Sequence, residues 1–224
     1  MILSNIIRKL LSFLSFQYKN KIISSKKNDK IRNYILKKIK LSKTIQKNLK
    51  KTHQEFNREI LNLITNSDLK NFLRENFIQK MFFLQNRFFV YKELKELQKS
   101  KRWNFYKDLL KEDDIGNPIR YFLYPQSSGN LINHVYHLNI LENELKINLK
   151  KDIKKVFEFG GGYGCMARIF SKININVRYT CFDTHNVNLL QYYYLKHNNL
   201  DVGFENKNTY FLTSKFHKII NNSN

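Results

Sequence analysis

Apolar side chains recur at helical spacing through the first part of the chain, with lysine and asparagine filling many positions between them. In residues 1–18, leucines and isoleucines return every three or four positions around Arg8 and Lys9, which predicts a basic amphipathic helix. Residues 19–51 carry only scattered isoleucine and leucine among many lysines. This second stretch predicts an exposed helix or a flexible connection.

A longer helical period begins at Ser67 and Asp68, two residues that favour a helix N-terminus. The period predicts one long helix whose aromatic stripe belongs to the core. Its apolar positions are Leu69, Phe72, Leu73, Phe77, Met81, Leu84, Phe88 and Tyr91. We therefore expect residues 1–110 to form a helical N-terminal region.

Glycine and proline interrupt the helical pattern within residues 111–150. Gly116 and Pro118 lie close together, and Pro125 follows them, so a loop is predicted here. Ser128 then favours the start of another helix. The related faces of that helix carry Leu131, His134, Val135, Leu138 and Leu141. We expect a loop and a helix ahead of a C-terminal domain.

The pattern changes at residue 151, where short apolar runs alternate with helical segments. The first run follows lysines and ends on glycines, as a buried parallel strand does. Strands are predicted at residues 156–159, 177–182 and 209–212, and helices at residues 166–170 and 187–196. The alternation predicts an α/β fold that begins a doubly wound sheet.

A glycine-rich turn joins the first predicted strand to the helix after it. Glycine suits such a turn because it accepts positive φ and lets a ligand lie against the backbone. The free N–H groups at the start of the helix attract a negatively charged group, such as the carboxylate of a methionine moiety. The pattern predicts a cofactor loop made of Glu158, Gly160, Gly161, Gly162, Tyr163 and Gly164.

Two cofactor classes compete for this loop. A dinucleotide site favours G-x-G-x-x-G/A, which fits only loosely when read from Gly162 to Ala167. An acidic residue two positions before G-x-G-x-G is typical of methyltransferases that bind S-adenosylmethionine, and it fits at every position. Asp183, at the end of the second predicted strand, is suited in either class to accept hydrogen bonds from ribose hydroxyls. We predict S-adenosylmethionine as the cofactor, with Asp183 as a further binding residue.

These residues resemble a family of bacterial sugar O-methyltransferases, class I enzymes whose genes often occur with those for surface-polysaccharide synthesis. The likeness covers about residues 60–215. It is carried by Glu158 to Gly164, Ala167, Arg168, Tyr179, Asp183 and the run from Leu190 to Leu195. The resemblance implies methyl transfer from S-adenosylmethionine to a hydroxyl of a sugar or glycan precursor. It also implies a partial Rossmann-like methyltransferase sheet preceded by an α-helical N-terminal region.

The chain departs from that family after Asp183, where it has room for about one more strand. The family's sheet continues with further strands, which include the residues that face the methyl group. Residues 151–224 are therefore expected to form an incomplete S-adenosylmethionine-binding domain: a fragment, a frameshifted copy or one half of a split pair. A partner chain that supplies the missing strands is expected for a split pair, because a bare sheet edge invites pairing.

The formal net charge is +22, from 40 lysines and arginines against 18 aspartates and glutamates. Such a field attracts nucleic acid, anionic lipid or phosphorylated substrates. The lysines are spread along a chain that is also rich in asparagine and isoleucine, which favours an AT-rich genome as the cause. No RNA-binding motif is present, so nucleic acid is not expected as a partner. A nucleic-acid methyltransferase and a non-catalytic cofactor-binding or interaction module are the alternative functions.

The two cysteines, Cys165 and Cys181, form no CxxC pattern, so neither a disulfide framework nor a metal site is expected. We expect a cytoplasmic protein. Arg8 and Lys9 interrupt any apolar run long enough to span a membrane. The helix of residues 1–18 is expected to dock onto the protein, with weak peripheral contact with an anionic membrane as the alternative.

No side chain is assigned as the catalytic base. O-methylation needs a positioned acceptor hydroxyl and, where it helps, a His, Asp or Glu that takes its proton. Residues of these types near the loop each have a simpler role in packing or at the solvated surface. The candidates for this proton transfer are His134 and His137. His185 is a candidate contact of the adenosine, and Asp113 and Asp114 are candidate ligands of a metal if the enzyme uses one. Cys165 lies in the loop itself without a neighbour that would activate its thiol.

Overall fold

The computed structural model of the protein describes residues 6, 10, 25–41, 51–174, 176–204 and 211–215. The fold is mixed α/β and mostly helical, with a small sheet of short strands. The chain divides into two compact units. Unit 1 comprises Met1–Lys30 with Leu61–Lys146, and unit 2 comprises Ile31–Ile60 with Ile147–Asn224. The division therefore falls within two helices, α1 (Ser25–Leu41) and α2 (Lys51–Asn66).

The described part of unit 1 contains several short helices, one longer helix and an antiparallel hairpin around an apolar core. Its elements are α3 (Asn76–Met81), α4 (Tyr91–Lys99), α5 (Trp103–Leu109), β1 (Arg120–Tyr121), β2 (Tyr124–Ser128) and α6 (Gly129–Leu145), with 3-10 helices at Phe72–Arg74 and Leu84–Phe88. The buried core side chains include Leu73, Ile78, Leu97, Leu131 and Val135.

The single long helix predicted over residues 67–91 is wrong, because the segment folds as several short helical pieces. Leu69 and Phe83 have φ angles of 62° and 55°, which an α-helix does not contain. The side chains of Ser67 and Asp68 each accept a hydrogen bond from the backbone N–H two residues further on. They therefore close a local turn and do not cap a long helix.

The loop and the helix predicted within residues 111–150 are confirmed. Gly116 and Asn117 have φ angles of 77° and 58° in the loop. Helix α6 then begins at Gly129, and its N-cap is Ser128, whose Oγ accepts a hydrogen bond from the N–H of Leu131 at 3.1 Å. The start of this helix was predicted from the preference of serine for the N-cap position, and Ser128 makes the capping hydrogen bond that explains this preference.

We expect Ser128→Ala to lower the free energy of unfolding by about 1 to 2 kcal/mol, because it removes the cap of α6. The hydroxyl also donates a hydrogen bond to the Glu112 carboxylate, which the substitution removes as well. Ser128→Thr keeps the hydroxyl and is the matched control. Chemical denaturation of the two variants measures the difference, and an alanine variant as stable as the threonine variant would contradict the prediction.

Unit 2 contains the α/β alternation that the sequence predicts. Its elements after α2 are β3 (Lys155–Phe159), α7 (Cys165–Ile173), β4 (Arg178–Phe182), α8 (His185–His197), β5 (Val202–Phe204) and β6 (Phe211–Lys215). Strands β3 and β4 pair in parallel across the crossover helix α7. The first two predicted strands and both predicted helices are therefore confirmed.

The third predicted strand, residues 209–212, is confirmed at residues 211 and 212, which belong to β6, and is corrected in direction; residues 209 and 210 lie outside the described part of the chain. Strand β6 pairs antiparallel with both β4 and β5, so the order of the described sheet is β3-β4-β6-β5. The sheet is thus mixed, because β6 is antiparallel where a doubly wound sheet would continue with a parallel strand. Strand β5 has three residues, too few to give an alternating signal in the sequence.

The first strand, predicted as buried, is exposed on one face. On the other face, Tyr179 of β4 packs against Phe170 of α7 with the ring centroids 5.7 Å apart. The exposed face carries Phe157 and Phe159, whose side chains are 62% and 77% exposed. A short apolar run does not reveal how many of its faces are covered, because that depends on elements distant in sequence.

Helix α1 is helical as predicted, but one of its faces is buried. Ile31, Ile35 and Ile39 lie along that face and are all buried. The ring of Tyr34 stacks on Tyr192 of α8 at a centroid distance of 4.8 Å. A segment that the sequence favours as exposed helix or connection therefore contributes to the core of unit 2.

The predicted helix of residues 1–18 is described only at Ile6 and Leu10, which are helical and exposed. The other residues of that prediction lie outside the described part of the chain. Among the helices that the structure describes, none has the length and hydropathy to cross a bilayer.

Candidate functional site

The glycine loop between β3 and α7 has a backbone that depends on its glycines. Gly160, Gly162 and Gly164 have φ angles of 77°, 56° and 96°, a region that residues with a Cβ rarely adopt. The N–H of Gly160 donates to the carbonyl oxygen of Phe182 at 2.9 Å and so joins the loop to the end of β4. Gly164 is the N-cap of α7, and the loop therefore ends at the N–H groups of a helix start.

Gly160 and Gly161 have different surroundings. A Cβ on Gly160 would meet no atom within 4 Å, so this side of the loop borders open space. A Cβ on Gly161 would lie 2.5 Å from both Cys181 Sγ and Glu158 Oε2. Gly161 thus packs closely against side chains of the sheet, whereas Gly160 is accessible to a ligand.

Glu158 supports the loop from the covered face of the sheet. Its Oε2 accepts a hydrogen bond from the hydroxyl of Tyr179 at 2.7 Å. Burial raises the pKa of the Glu158 carboxyl, while hydrogen bonds from the side chains of Tyr179 and Cys181 oppose the rise. The predicted acidic residue therefore lies directly beneath the glycines, and its carboxylate is hydrogen-bonded to a side chain of the protein.

Asp183 lies at the carboxyl end of β4, beside the glycine loop. Its Oδ1 accepts a hydrogen bond from the N–H of Thr184 at 2.7 Å. Burial raises the pKa of Asp183 to about 6; hydrogen bonds from the N–H groups of Thr184 and Gly162 oppose this shift, and the charge of Glu158 adds to it. The structure therefore brings together the predicted acid and the predicted loop, although they are far apart in sequence.

Gln191 of α8 connects the loop and the acid, and the sequence did not predict it as a site residue. Its Nε2 donates to the carbonyl oxygen of Gly162 at 2.9 Å and to Asp183 Oδ2 at 3.4 Å. The side chain is fully buried, and within the described part of the chain its Oε1 has no hydrogen-bond partner. Two sequence signals could have indicated it: its spacing of about two helical turns after Asp183, and its place in the run from Leu190 to Leu195 that carries the family resemblance.

The side chain of Tyr163 points into the protein and not toward a ligand space. It is buried, and its ring meets the Tyr194 ring edge-on at a centroid distance of 5.0 Å. Gly164 lies beside Leu195, which a Cβ at that position would approach to 3.3 Å. At Tyr163 only the backbone is suited to contact a cofactor, and its ring fixes the loop on α8.

The candidate catalytic side chains lie in different places. His185 begins α8 in unit 2, and its ring centroid is 6.2 Å from that of Phe204. Burial lowers the pKa of His185, and the charge of Lys38 lowers it further. Cys165 is buried at the start of α7.

The remaining candidates belong to unit 1 and have structural partners there. His134 Nδ1 is 2.8 Å from the carbonyl oxygen of Asn130, and burial lowers the pKa of this histidine to about 4. Asp113 Oδ1 accepts a hydrogen bond from the N–H of Ile115. Asp114 pairs with Arg120 at 2.5 Å, and the ring of His137 lies beside that of Tyr136.

Among the described residues, no group of three or more His, Cys, Asp or Glu is arranged to hold a metal ion. No protein-family model, no curated protein and no solved structure matches the chain. The geometry of unit 2 and the residue pattern are therefore the basis for any functional conclusion.

Proposed function

We propose that unit 2 binds S-adenosylmethionine and that the chain is an O-methyltransferase of the bacterial sugar O-methyltransferase type. The acceptor is a hydroxyl of a sugar or glycan precursor for surface polysaccharide. The proposal includes the finer fold assignment, in which β3, α7, β4 and α8 begin a Rossmann-like methyltransferase sheet. The antiparallel β6 departs from a regular continuation of that sheet.

One observation carries the proposal: two acidic residues and a positive-φ glycine loop converge at the carboxyl ends of adjacent parallel strands. Glu158 is the last residue but one of β3, and Asp183 directly follows β4. Asp183 accepts a hydrogen bond from the N–H of Gly162 in the loop. In open α/β sheets, ligands bind at this edge, next to the N-terminus of the helix that follows. The site has the acceptors for hydroxyls and the donors for a carboxylate that this cofactor requires.

Two further features of the described residues support S-adenosylmethionine as the proposed ligand. Open space beside Gly160 allows a ligand to lie against the backbone. Two buried oxygens near Asp183, Gln191 Oε1 and Thr184 Oγ1, have no hydrogen-bond partner among the residues that the structure describes. A ligand that carries hydroxyl and amino groups would supply partners of the kind that such buried atoms need.

Each part of the site has a separate task in the proposed binding. Asp183 accepts hydrogen bonds from the ribose hydroxyls, and Gln191 holds Asp183 against the loop. The N–H groups at the start of α7 receive the carboxylate of the methionine moiety. When bound, S-adenosylmethionine supplies an electrophilic methyl group on its sulfonium. No catalytic base is assigned.

Isothermal titration calorimetry tests the binding step directly. We expect purified protein to bind S-adenosylmethionine and S-adenosylhomocysteine at one site, and NAD⁺ far more weakly. Folded protein that binds neither sulfur nucleoside would overturn the proposal. Preferred binding of NAD⁺ would assign the loop to the dinucleotide class.

Methyl transfer is tested separately with radiolabelled cofactor. Incorporation of label into sugar nucleotides or lipid-linked glycan precursors supports the sugar-directed reaction. Incorporation into RNA or DNA would favour the nucleic-acid methyltransferase. Tight binding without transfer to any of these acceptors would identify a non-catalytic cofactor-binding module.

A further inference from the structure

The β1-β2 hairpin of unit 1 ends in an exposed apolar turn. Phe122 and Leu123 are the two residues between the paired positions Tyr121 and Tyr124. Their side chains are 42% and 52% exposed. Large apolar side chains that lie next to each other on a surface mark a place that contacts another molecule.

The backbone of this turn does not require these two residues. Two-residue hairpin turns favour asparagine, aspartate and glycine, because these residues accept positive φ angles. Neither Phe122 nor Leu123 has a positive φ, so small or polar residues would fit the same backbone. The conformation of the turn therefore gives no reason for two large apolar side chains.

Aromatic packing holds the turn in place. The ring of Phe122 stacks on that of Phe88 at a centroid distance of 5.8 Å. The Tyr121 ring lies 6.4 Å from Phe88 and 5.0 Å from Phe122, and both Phe88 and Tyr121 are buried. A turn that is fixed on buried rings loses little conformational entropy when its exposed side chains leave water.

Helix α4 brings a lysine to the same aromatic cluster. Burial raises the pKa of the Tyr121 hydroxyl, and the nearby Tyr91 of α4 adds to the rise, so α4 begins beside the hairpin. Lys95 Nζ lies over the Tyr91 ring, 5.4 Å from its centroid. The exposed turn and this ammonium group are therefore joined through Tyr121 and Tyr91.

The charge beside the turn is positive. Lys92 and Lys95 are exposed on α4, and the exposed acid of this helix, Glu96, forms an ion pair with Lys99 at 2.9 Å. The whole chain carries a net charge of +22. Apolar side chains next to lysines suit the interface of an anionic bilayer, because the apolar groups leave water while the ammonium groups stay at the phosphates.

We propose that the β1-β2 turn inserts into the interface of an anionic lipid bilayer. Phe122 and Leu123 enter the boundary between headgroups and acyl chains, and Lys92 and Lys95 contact the lipid phosphates. This membrane contact is independent of cofactor binding and of the helix predicted over residues 1–18.

Two features favour a bilayer over a protein partner. Strand β1 has two residues and β2 carries the exposed Pro125, so the hairpin offers few backbone groups to another strand. A second copy of the chain brings the same positive charge, and the two copies repel each other. Anionic headgroups instead attract the lysines and need no paired strand.

Vesicle flotation tests the proposal on the full chain. The probes are vesicles of phosphatidylcholine alone and vesicles in which about a third of the lipid is phosphatidylglycerol. The chain should float with the anionic vesicles and not with the neutral ones, and high salt should weaken this binding. Equal binding to both kinds of vesicle, or binding to neither, would overturn the proposal.

Variants of the turn separate it from other surfaces. Leu123→Ser and, separately, Phe122→Ser should each weaken binding to the anionic vesicles at least tenfold. Leu145→Ser, which changes a similarly exposed side chain at the end of α6, should leave binding unchanged. Wild-type binding by the Leu123→Ser protein would overturn the proposal. If Leu10→Ser alone abolished binding, the contact would belong to residues 1–18, which also contradicts it.

Charge variants and the oligomeric state complete the test. Lys92→Gln with Lys95→Gln should weaken vesicle binding at least tenfold. Lys150→Gln with Lys151→Gln removes the same charge from unit 2 and should have a much smaller effect; equal losses in the two double variants would show that only the total charge matters and overturn the proposal. Sedimentation velocity without lipid should give a monomer. A dimer that Leu123→Ser dissociates would assign the turn to a second copy instead.

Discussion

Replacement of Asp183 by asparagine is expected to weaken S-adenosylmethionine binding by about 100-fold. In the proposed complex the carboxylate accepts hydrogen bonds from two ribose hydroxyls, and bonds to a charged acceptor contribute about 1.5 to 3 kcal/mol each. An asparagine offers one neutral oxygen in place of the charged pair. For the same reason, the affinity of the wild-type protein should fall as the pH drops below the Asp183 pKa of about 6.

The same substitution should make the protein more stable at neutral pH. Burial raises the pKa of Asp183 from 3.8 to about 6, so the folded state holds a proton that the unfolded state has released between these values. The ionised carboxylate therefore destabilises the fold above pH 6, by up to about 3 kcal/mol. Asparagine removes this cost, and the gain should disappear near pH 4, where the carboxyl is protonated in the wild type.

Calorimetric titration and urea denaturation at pH 8 and pH 4 measure the two effects. Asp201→Asn is the matched control in unit 2, because Asp201 forms an exposed ion pair with Lys196 and should change neither quantity appreciably. Binding and stability that fall together would indicate that Asp183 is a structural residue. Weaker binding together with higher stability would show that Asp183 serves ligand binding at a cost in stability.

Local sequence signals predicted the part of unit 2 that holds the site. The strand–helix pairs β3-α7 and β4-α8 each begin with an apolar run and end at a turn, so a short window contains all the information needed. The alternating glycines predicted a turn with positive φ angles, and Gly160, Gly162 and Gly164 all have positive φ. Asp183 was predicted from its place after a strand, and parallel pairing brings it to the loop.

The failures lie where distant residues decide the structure. The apolar period over residues 67–91 indicates a helix, yet hydrogen bonds of Arg74 with the distant Asn117 hold part of this segment against another loop. Helix α1 packs on a part of unit 2 that is far along the chain, since Tyr34 stacks on Tyr192. Gln191 was missed because its two acceptors lie on separate loops that meet only in the folded structure. Side-chain contacts of this kind leave no periodic pattern in a sequence.

Alanine substitutions at the neighbouring residues Gly160 and Gly161 should have different consequences. Gly161→Ala places a Cβ 2.5 Å from Cys181 Sγ and Glu158 Oε2, so the loop must move away from the sheet. We expect a loss of about 2 to 3 kcal/mol in the free energy of unfolding. Cys181→Ala in the same chain removes one of the two clashing groups and should restore part of that stability, because the two positions are in contact.

Gly160→Ala should instead act mainly on the ligand. The new Cβ meets no protein atom, so the cost is the strained φ of 77°, about 1 to 2 kcal/mol. The methyl group projects into the space where the cofactor is proposed to lie against the backbone, and binding should become undetectable. Cys181→Ala should not rescue this variant, since Cys181 is not among the atoms near Gly160. Thermal denaturation and titration calorimetry of the two alanine variants, each with and without Cys181→Ala, separate the roles: a Gly160→Ala protein that binds normally would place the cofactor away from the loop.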